Sequence, residues 1–233
     1  MNKVYLIGDC HTTRVFEHWN PVECPSHFYA WGKGGLTAWS FDPYKMEEDD
    51  EISGGIEKNN IYIKQAGVKF RSGFKRFKDP DIILVWLGYV DIRSKLPRFN
   101  NSKEVVYKYL DLVSSYYSNS IIQIIEPLPQ FKEILLKSDS LSPKYSYEER
   151  LEQNNEFVKY LNEYIQDHGM LKPITQQEIK DAIGIQELTE EHAANWAPHP
   201  QDSLKNEYWK MIYDLFISRA NEAYEKWHGN KLY

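Results

Sequence analysis

The sequence predicts an α/β fold in which a central parallel sheet is covered by helices on both faces. Two observations lead there. In the run Asp81-Ile82-Ile83-Leu84-Val85-Trp86-Leu87 every residue after Asp81 is apolar, which is the pattern of a central strand with no wet face. Apolar, β-prone runs also alternate with segments of helical spacing, the rhythm of βαβ units. At 233 residues the chain can bury one sizeable core and is most economically a single domain, residues 1–233.

The elements follow in order. Lys3 to Ile7 is an apolar first strand. Gly8-Asp9 then turns the chain sharply and presents Cys10 at the carboxyl end of that strand, where open α/β sheets keep their sites. A helix-like segment runs from Thr12 to about Trp19, followed by a loop rich in proline, glycine and aromatics (Pro21, Pro25, Gly32, Gly34, Gly35). Met46 to Gly55 is acidic and reads as a flexible, solvated loop. After the central strand, Ser102 to Tyr117 sets Val105, Val106, Tyr109, Leu112 and Val113 on one side of a helix. Ser120 to Ile125 is another strand, stopped by Glu126-Pro127-Leu128-Pro129. Glu148 to Gln166 is a long amphipathic helix, and Lys205 to Trp227 is a closing one. The less regular stretches, 131–147 and 171–196, read as lids or caps.

Bulk properties narrow the function. A net charge of −6 gives no general attraction to nucleic acid or anionic membrane. No segment approaches the roughly 20 apolar residues that span a bilayer. The N-terminus shows no signal-peptide pattern, so a cytoplasmic location is expected. Two cysteines, Cys10 and Cys24, make no disulfide framework and no zinc pattern. In a reducing compartment both are free thiols. Aromatic content is 15%. Most of those rings belong to the core, and some suit a groove for sugars or flat ligands.

Four segments fall at the expected ends of these elements. They are Gly8-Asp9-Cys10-His11-Thr12, Gly34-Gly35-Leu36-Thr37-Ala38, Leu87-Gly88-Tyr89-Val90-Asp91-Ile92-Arg93 and Ala197-Pro198-His199-Pro200. Together they offer a thiol, backbone amides from glycine turns, a charged pair and a late histidine. Nucleophilic acyl transfer needs such parts: a nucleophile, a base, and amides aimed at the oxyanion. Each also has a plainer reading: turn glycines, an Asp91–Arg93 ion pair fixing a turn, and a loop histidine held by packing.

The joint order resembles the SGNH, or GDSL-type, hydrolase superfamily. Gly8-Asp9-Cys10 matches its Gly-Asp-Ser block, Gly35 its second-block glycine, Gly88-Tyr89-Val90-Asp91 its Gly-x-Asn-Asp block, and His199 its late histidine. Asp91-Ile92-Arg93 reproduces a Gly-Glu-Ile-Asp-x-Arg variant found in SGNH-like proteins associated with glycans. The resemblance spans residues 8 to 199 and implies a three-layer α/β/α sandwich of the flavodoxin-like kind. It implies a catalytic pair of Cys10 and His199, with Gly35, Asp91, Arg93 and His11 serving the oxyanion or the substrate. No metal is implied.

The implied substrate is a small-molecule or glycan ester. No cofactor is called for, although an acyltransferase version would use acyl-coenzyme A as co-substrate, with Arg93, Arg14 or Lys33 as candidates for its phosphate or for a carboxylate. His11 is an alternative base or ligand-binding group. Three departures stand out: Cys10 replaces the serine, Val90 the oxyanion asparagine, and Trp196 the aspartate three residues before the histidine. They define the competing expectation, a catalytically silent SGNH-like domain that binds a carbohydrate or a protein partner.

Overall fold

A computed structural model of the chain describes residues 3–9, 11, 12, 15, 28–32, 36–52, 62–65, 68–71, 78–94, 101–132, 145–196 and 199–229. Strands β1 (Val4–Gly8) and β2 (Phe28–Gly32) come first, then helix α1 (Pro43–Ile52) and the antiparallel pair β3 (Tyr62–Gln65) and β4 (Val68–Arg71). They are followed by β5 (Ile82–Trp86), α2 (Tyr89–Ser94), α3 (Ser102–Tyr116), β6 (Ile121–Ile125), α4 (Tyr147–Asp167) and α5 (Gln176–Ile183). The antiparallel pair β7 (Ala193–Trp196) and β8 (His199–Leu204) precedes the last helix, α6 (Asn206–His228).

One sheet organises these elements. Its order is β2-β1-β5-β6, with every neighbouring pair parallel. The predicted central strand lies inside it, and Ile82 to Trp86 are buried throughout. Strand residues alternate between two cores, as period-2 geometry requires. Leu6, Leu84 and Trp86 face α6, meeting Trp209, Ile212, Phe216 and Ala220. Tyr5, Ile7, Ile83 and Val85 face α3 and α4, meeting Val106, Leu110, Phe157 and Leu161. Burying one such aliphatic or phenyl group stabilises by about 2 kcal/mol relative to exposure, so both helical layers are integral. The result is the predicted three-layer α/β/α sandwich.

Several sequence expectations change. The acidic segment from Met46 lies largely in a helix, because Asp42 Oδ1 accepts the Lys45 amide at 3.1 Å, Pro43 follows as a tolerated first helical residue, and buried Met46 anchors one side. The Pro/Gly/aromatic loop contains β2, which pairs with β1 from Val4↔Phe28 to Gly8↔Gly32; the strand is only five residues long and shows no polar–apolar alternation among its neighbouring turn residues. Stretch 171–196 is no lid. Ile174, Ile179, Ile183 and Leu188 are buried in the α6-side core, and Ile174 bridges the end of β6 in parallel. Thr175 caps α5 with a reciprocal Glu178 contact. Of the helix expected from Thr12 to about Trp19, only residues 12 and 15 are described, and both are helical, as is residue 11 before them; residues 133–144 of the other expected lid lie outside the described residues.

The strand order places a site before any side chain is considered. The chain leaves β1 for β2 on one side, and β5 then packs against β1's other edge. Neighbouring connections therefore diverge between β1 and β5, and ligands of open α/β sheets bind at such a switch point, beyond the strands' carboxyl ends. Gly8 ends β1 there, in register with Trp86 at the end of β5.

Candidate active site at the switch point

The turn after β1 is clamped from several directions. Thr12 donates its hydroxyl to Asp9 O at 2.7 Å and lies 3.2 Å from Trp31 O on β2. Asp9 N donates to Trp86 O across the sheet at 3.4 Å. Gly8 is required by space rather than by dihedral angle. A Cβ there would stand 2.0 Å from Trp86 O and 2.6 Å from Thr12 Cγ2. Gly88, at the end of β5, needs glycine twice over, since its φ is +107° and a Cβ would meet the Phe157 ring at 2.7 Å.

Asp9 and His11 form a pair that sequence reasoning did not anticipate. Asp9 Oδ1 accepts the His11 backbone amide at 2.9 Å and lies 3.0 Å from His11 Nδ1. Both residues are buried. A carboxylate at Nδ1 favours the proton on that nitrogen. The imidazole is enclosed by Tyr89, edge-on at 4.6 Å between ring centroids, with Trp209 at 5.8 Å and Trp86 at 6.0 Å. The available signal was the Asp-x-His spacing, in which a turn brings i and i+2 together.

Asp91 ties two of the predicted segments together. It sits on α2, fully buried, and its carboxylate oxygens accept the amides of Ala38 at 2.6 Å and Trp39 at 3.1 Å. These amides immediately follow Gly34-Gly35-Leu36-Thr37, so the carboxylate fixes the end of the second segment against the third. The chain separation of the partners, 53 residues for Ala38, explains why sequence showed only a charged pair after a strand. Burial pushes the Asp91 carboxyl up to about 7, against the opposing pull of the amide donors, and the nearby Asp9 carboxylate adds to the rise.

That shift has a consequence for stability. The folded carboxyl keeps its proton until about pH 7, while the unfolded chain releases it near the ordinary value of 3.8. The folded state therefore binds more protons between those values. Its contribution is fully present below pH 3.8 and is lost as pH rises through about 7. Wild-type unfolding free energy is expected to fall across this window relative to Asp91→Asn, at up to about 1.4 kcal/mol per pH unit. Urea titrations at several pH values check it; parallel curves for the two proteins contradict it.

The remaining candidates divide. Arg93 lies on α2 at intermediate exposure. His199 opens β8, paired in register with Trp196, the residue standing where the resembled pattern has aspartate. Cys10 and Gly35 lie outside the described residues, as do Arg14 and Lys33 and the side chain of His199. Val90 is buried on α2, and its side chain has no donor to offer an oxyanion. Among the described residues no group of three or more histidine, cysteine, aspartate or glutamate side chains is placed to hold a metal ion, and no helix is long and apolar enough to cross a membrane.

No family model matches the sequence, and no curated protein matches it. Solved structures do match. A Streptococcus pneumoniae protein assigned as a platelet activating factor superposes with a TM-score of 0.54 at 14% identity, covering 97% of this chain and 83% of its own. A protein assigned to the lipolytic G-D-S-L family from Desulfitobacterium hafniense gives 0.51 at 14% identity, covering 94% and 99%. The inhibitor-bound aryl esterase of M. smegmatis gives 0.53 at 8% identity, covering 96% and 100%. The chain has the fold of these proteins over nearly its whole length.

Proposed function

We propose that the chain is an SGNH-like ester hydrolase or acyl-transfer enzyme whose nucleophile is Cys10 and whose acid–base group is His199. The observation that carries this reading is the Asp91 carboxylate bound to the amides of Ala38 and Trp39. It draws the second and third segments together beside the switch point where the first segment emerges from β1. Esterase and lipolytic proteins among the structural matches support the same reaction class.

The chemistry follows from the residue types. A free thiol has a pKa of about 8.5, which a nearby imidazolium or a helix N-terminus lowers. The Cys10 thiolate attacks the acyl carbon, forming a C–S bond and placing negative charge on the carbonyl oxygen. The amides of Cys10 and Gly35 hold that oxyanion, each such donor being worth about 3 kcal/mol. The tetrahedral species collapses with cleavage of the bond to the leaving group, which takes a proton from protonated His199. His199, now neutral, then takes a proton from water or an acceptor hydroxyl as that oxygen attacks the thioester, and the thiolate is released. A thiolate needs less help from a third residue than a serine does, so Trp196 in place of aspartate is tolerable.

The substrate on this reading is a small-molecule or glycan ester, with acyl-coenzyme A as co-substrate if transfer prevails over hydrolysis. A panel of p-nitrophenyl esters and thioesters tests it with wild type, Cys10→Ala and His199→Ala. Turnover by wild type that both substitutions lower by about a hundredfold or more supports the proposal. Equal rates for all three leave the silent, ligand-binding domain as the better reading.

A further inference from the structure

We infer that Arg150, with Arg93 beside it, forms a subsite that receives an anionic group, a carboxylate or a phosphate, of the molecule bound at the switch point. Its description as part of a substrate site rests on the function proposed above; the anion binding itself does not.

Arg150 lies in the first turn of α4 and is 3% exposed. Its described hydrogen bonds go only to neutral acceptors: Nη1 to Gln130 Oε1 at a long 3.5 Å and Nη2 to Phe131 O at 3.2 Å. Among the described residues its Nε, also buried, has no hydrogen-bond partner. Among the described residues no carboxylate forms an ion pair with it. The Tyr147 ring lies 5.9 Å away, and Glu148 is near enough to act on it more weakly.

A guanidinium cannot shed its charge at ordinary pH, and burying one with a donor unpaired carries a large desolvation cost. A second cation, Arg93, raises that cost rather than relieving it. The guanidinium of Arg150, held by neutral acceptors with a second cation near it, is stabilised by an anion that reaches it, and Arg suits the planar, bidentate recognition of carboxylate and phosphate.

The position fits the same site. Gln130 and Phe131 follow the carboxyl end of β6, and Arg93 follows that of β5, so the pair sits on the same carboxyl-end side of the sheet as the switch point. Tyr89 is close to Arg150 and packs against His11, the neighbour of Cys10. The chain as a whole carries a net charge of −6, so diffuse attraction would not produce saturable anion binding.

Calorimetric titration of the whole chain with succinate in one arm and inorganic phosphate in the other tests the inference and tells the two ligand chemistries apart. Wild type is expected to bind at least one of them saturably. Arg150→Gln should weaken that binding at least tenfold, and Arg219→Gln, which removes a positive charge already paired with Glu178 and Glu222, should not. If circular dichroism shows Arg150→Gln unfolded, Arg150→Lys and Arg93→Gln replace it, and each is expected to weaken binding. Absence of saturable binding to wild type, or equal binding by the Arg150 and Arg93 variants, overturns the subsite. Because no turnover is read, the result is separable from that of the ester panel.

Discussion

Gly8→Ala is expected to destabilise the protein by more than about 3 kcal/mol or to prevent folding. Ordinary overpacking costs about 1–3 kcal/mol because side chains can rearrange. Here the new methyl would lie 2.0 Å from the backbone oxygen of Trp86, an atom that cannot move alone. Trp86 ends β5, which is hydrogen-bonded to β1 on one edge and β6 on the other, and its indole donates to Glu126 O at 2.9 Å. Relief therefore requires separating central strands. Urea unfolding followed by circular dichroism measures the effect, and a variant within about 1 kcal/mol of wild type would show that the turn is looser than described. The same close approach brings Asp9 to the edge of β5, so any folded Gly8→Ala protein should also lose its site geometry.

Cys10→Ala is expected to lower kcat/KM on an activated ester by at least about a thousandfold while leaving the unfolding free energy within about 1 kcal/mol. Cys10→Ser sharpens the test. A serine hydroxyl has to be deprotonated as it attacks and depends on an imidazole held by a carboxylate, whereas the position three residues before His199 holds Trp196 rather than aspartate. Serine is therefore expected to restore little of the lost rate. Recovery to near wild-type rate in Cys10→Ser would mean that an orienting group for His199 exists, and the role assigned to the thiol would have to be revised.

The elements with the strongest periodicity were the most legible from sequence. The apolar run of β5 and the helical spacing of α3, α4 and α6 all correspond to observed elements, because burial on one or both faces leaves a pattern in the residues themselves. β2 and α1 were hidden for opposite reasons. Glycine and proline around Phe28 to Gly32 disguised a strand whose stability comes from pairing with β1. The acidic composition of α1 disguised a helix anchored by Asp42 and Met46. Segment 171–196 looked irregular because its buried residues belong to short elements that pack on α6.

Within the site, the segments and their order were legible, but their connections were not. Nothing local to Asp91 reveals that its partners are Ala38 and Trp39. Arg150 looks in sequence like one more charge on an amphipathic helix, and only its burial beside Arg93 and Tyr89 makes it unusual. The sequence offers His11 as an alternative base or ligand-binding group but does not show that its ring lies against Asp9 among Tyr89, Trp86 and Trp209.

The most direct test of the proposed chemistry is to trap the acyl-enzyme. Wild-type protein mixed briefly with p-nitrophenyl acetate, quenched in acid and digested, is examined by peptide mass spectrometry. The proposal predicts one acetyl group on the peptide containing Cys10, formed at the rate of the p-nitrophenol burst, and none on the peptide containing Cys24. Steady turnover with no acetyl on Cys10, or equal labelling of both cysteines without turnover, would contradict it.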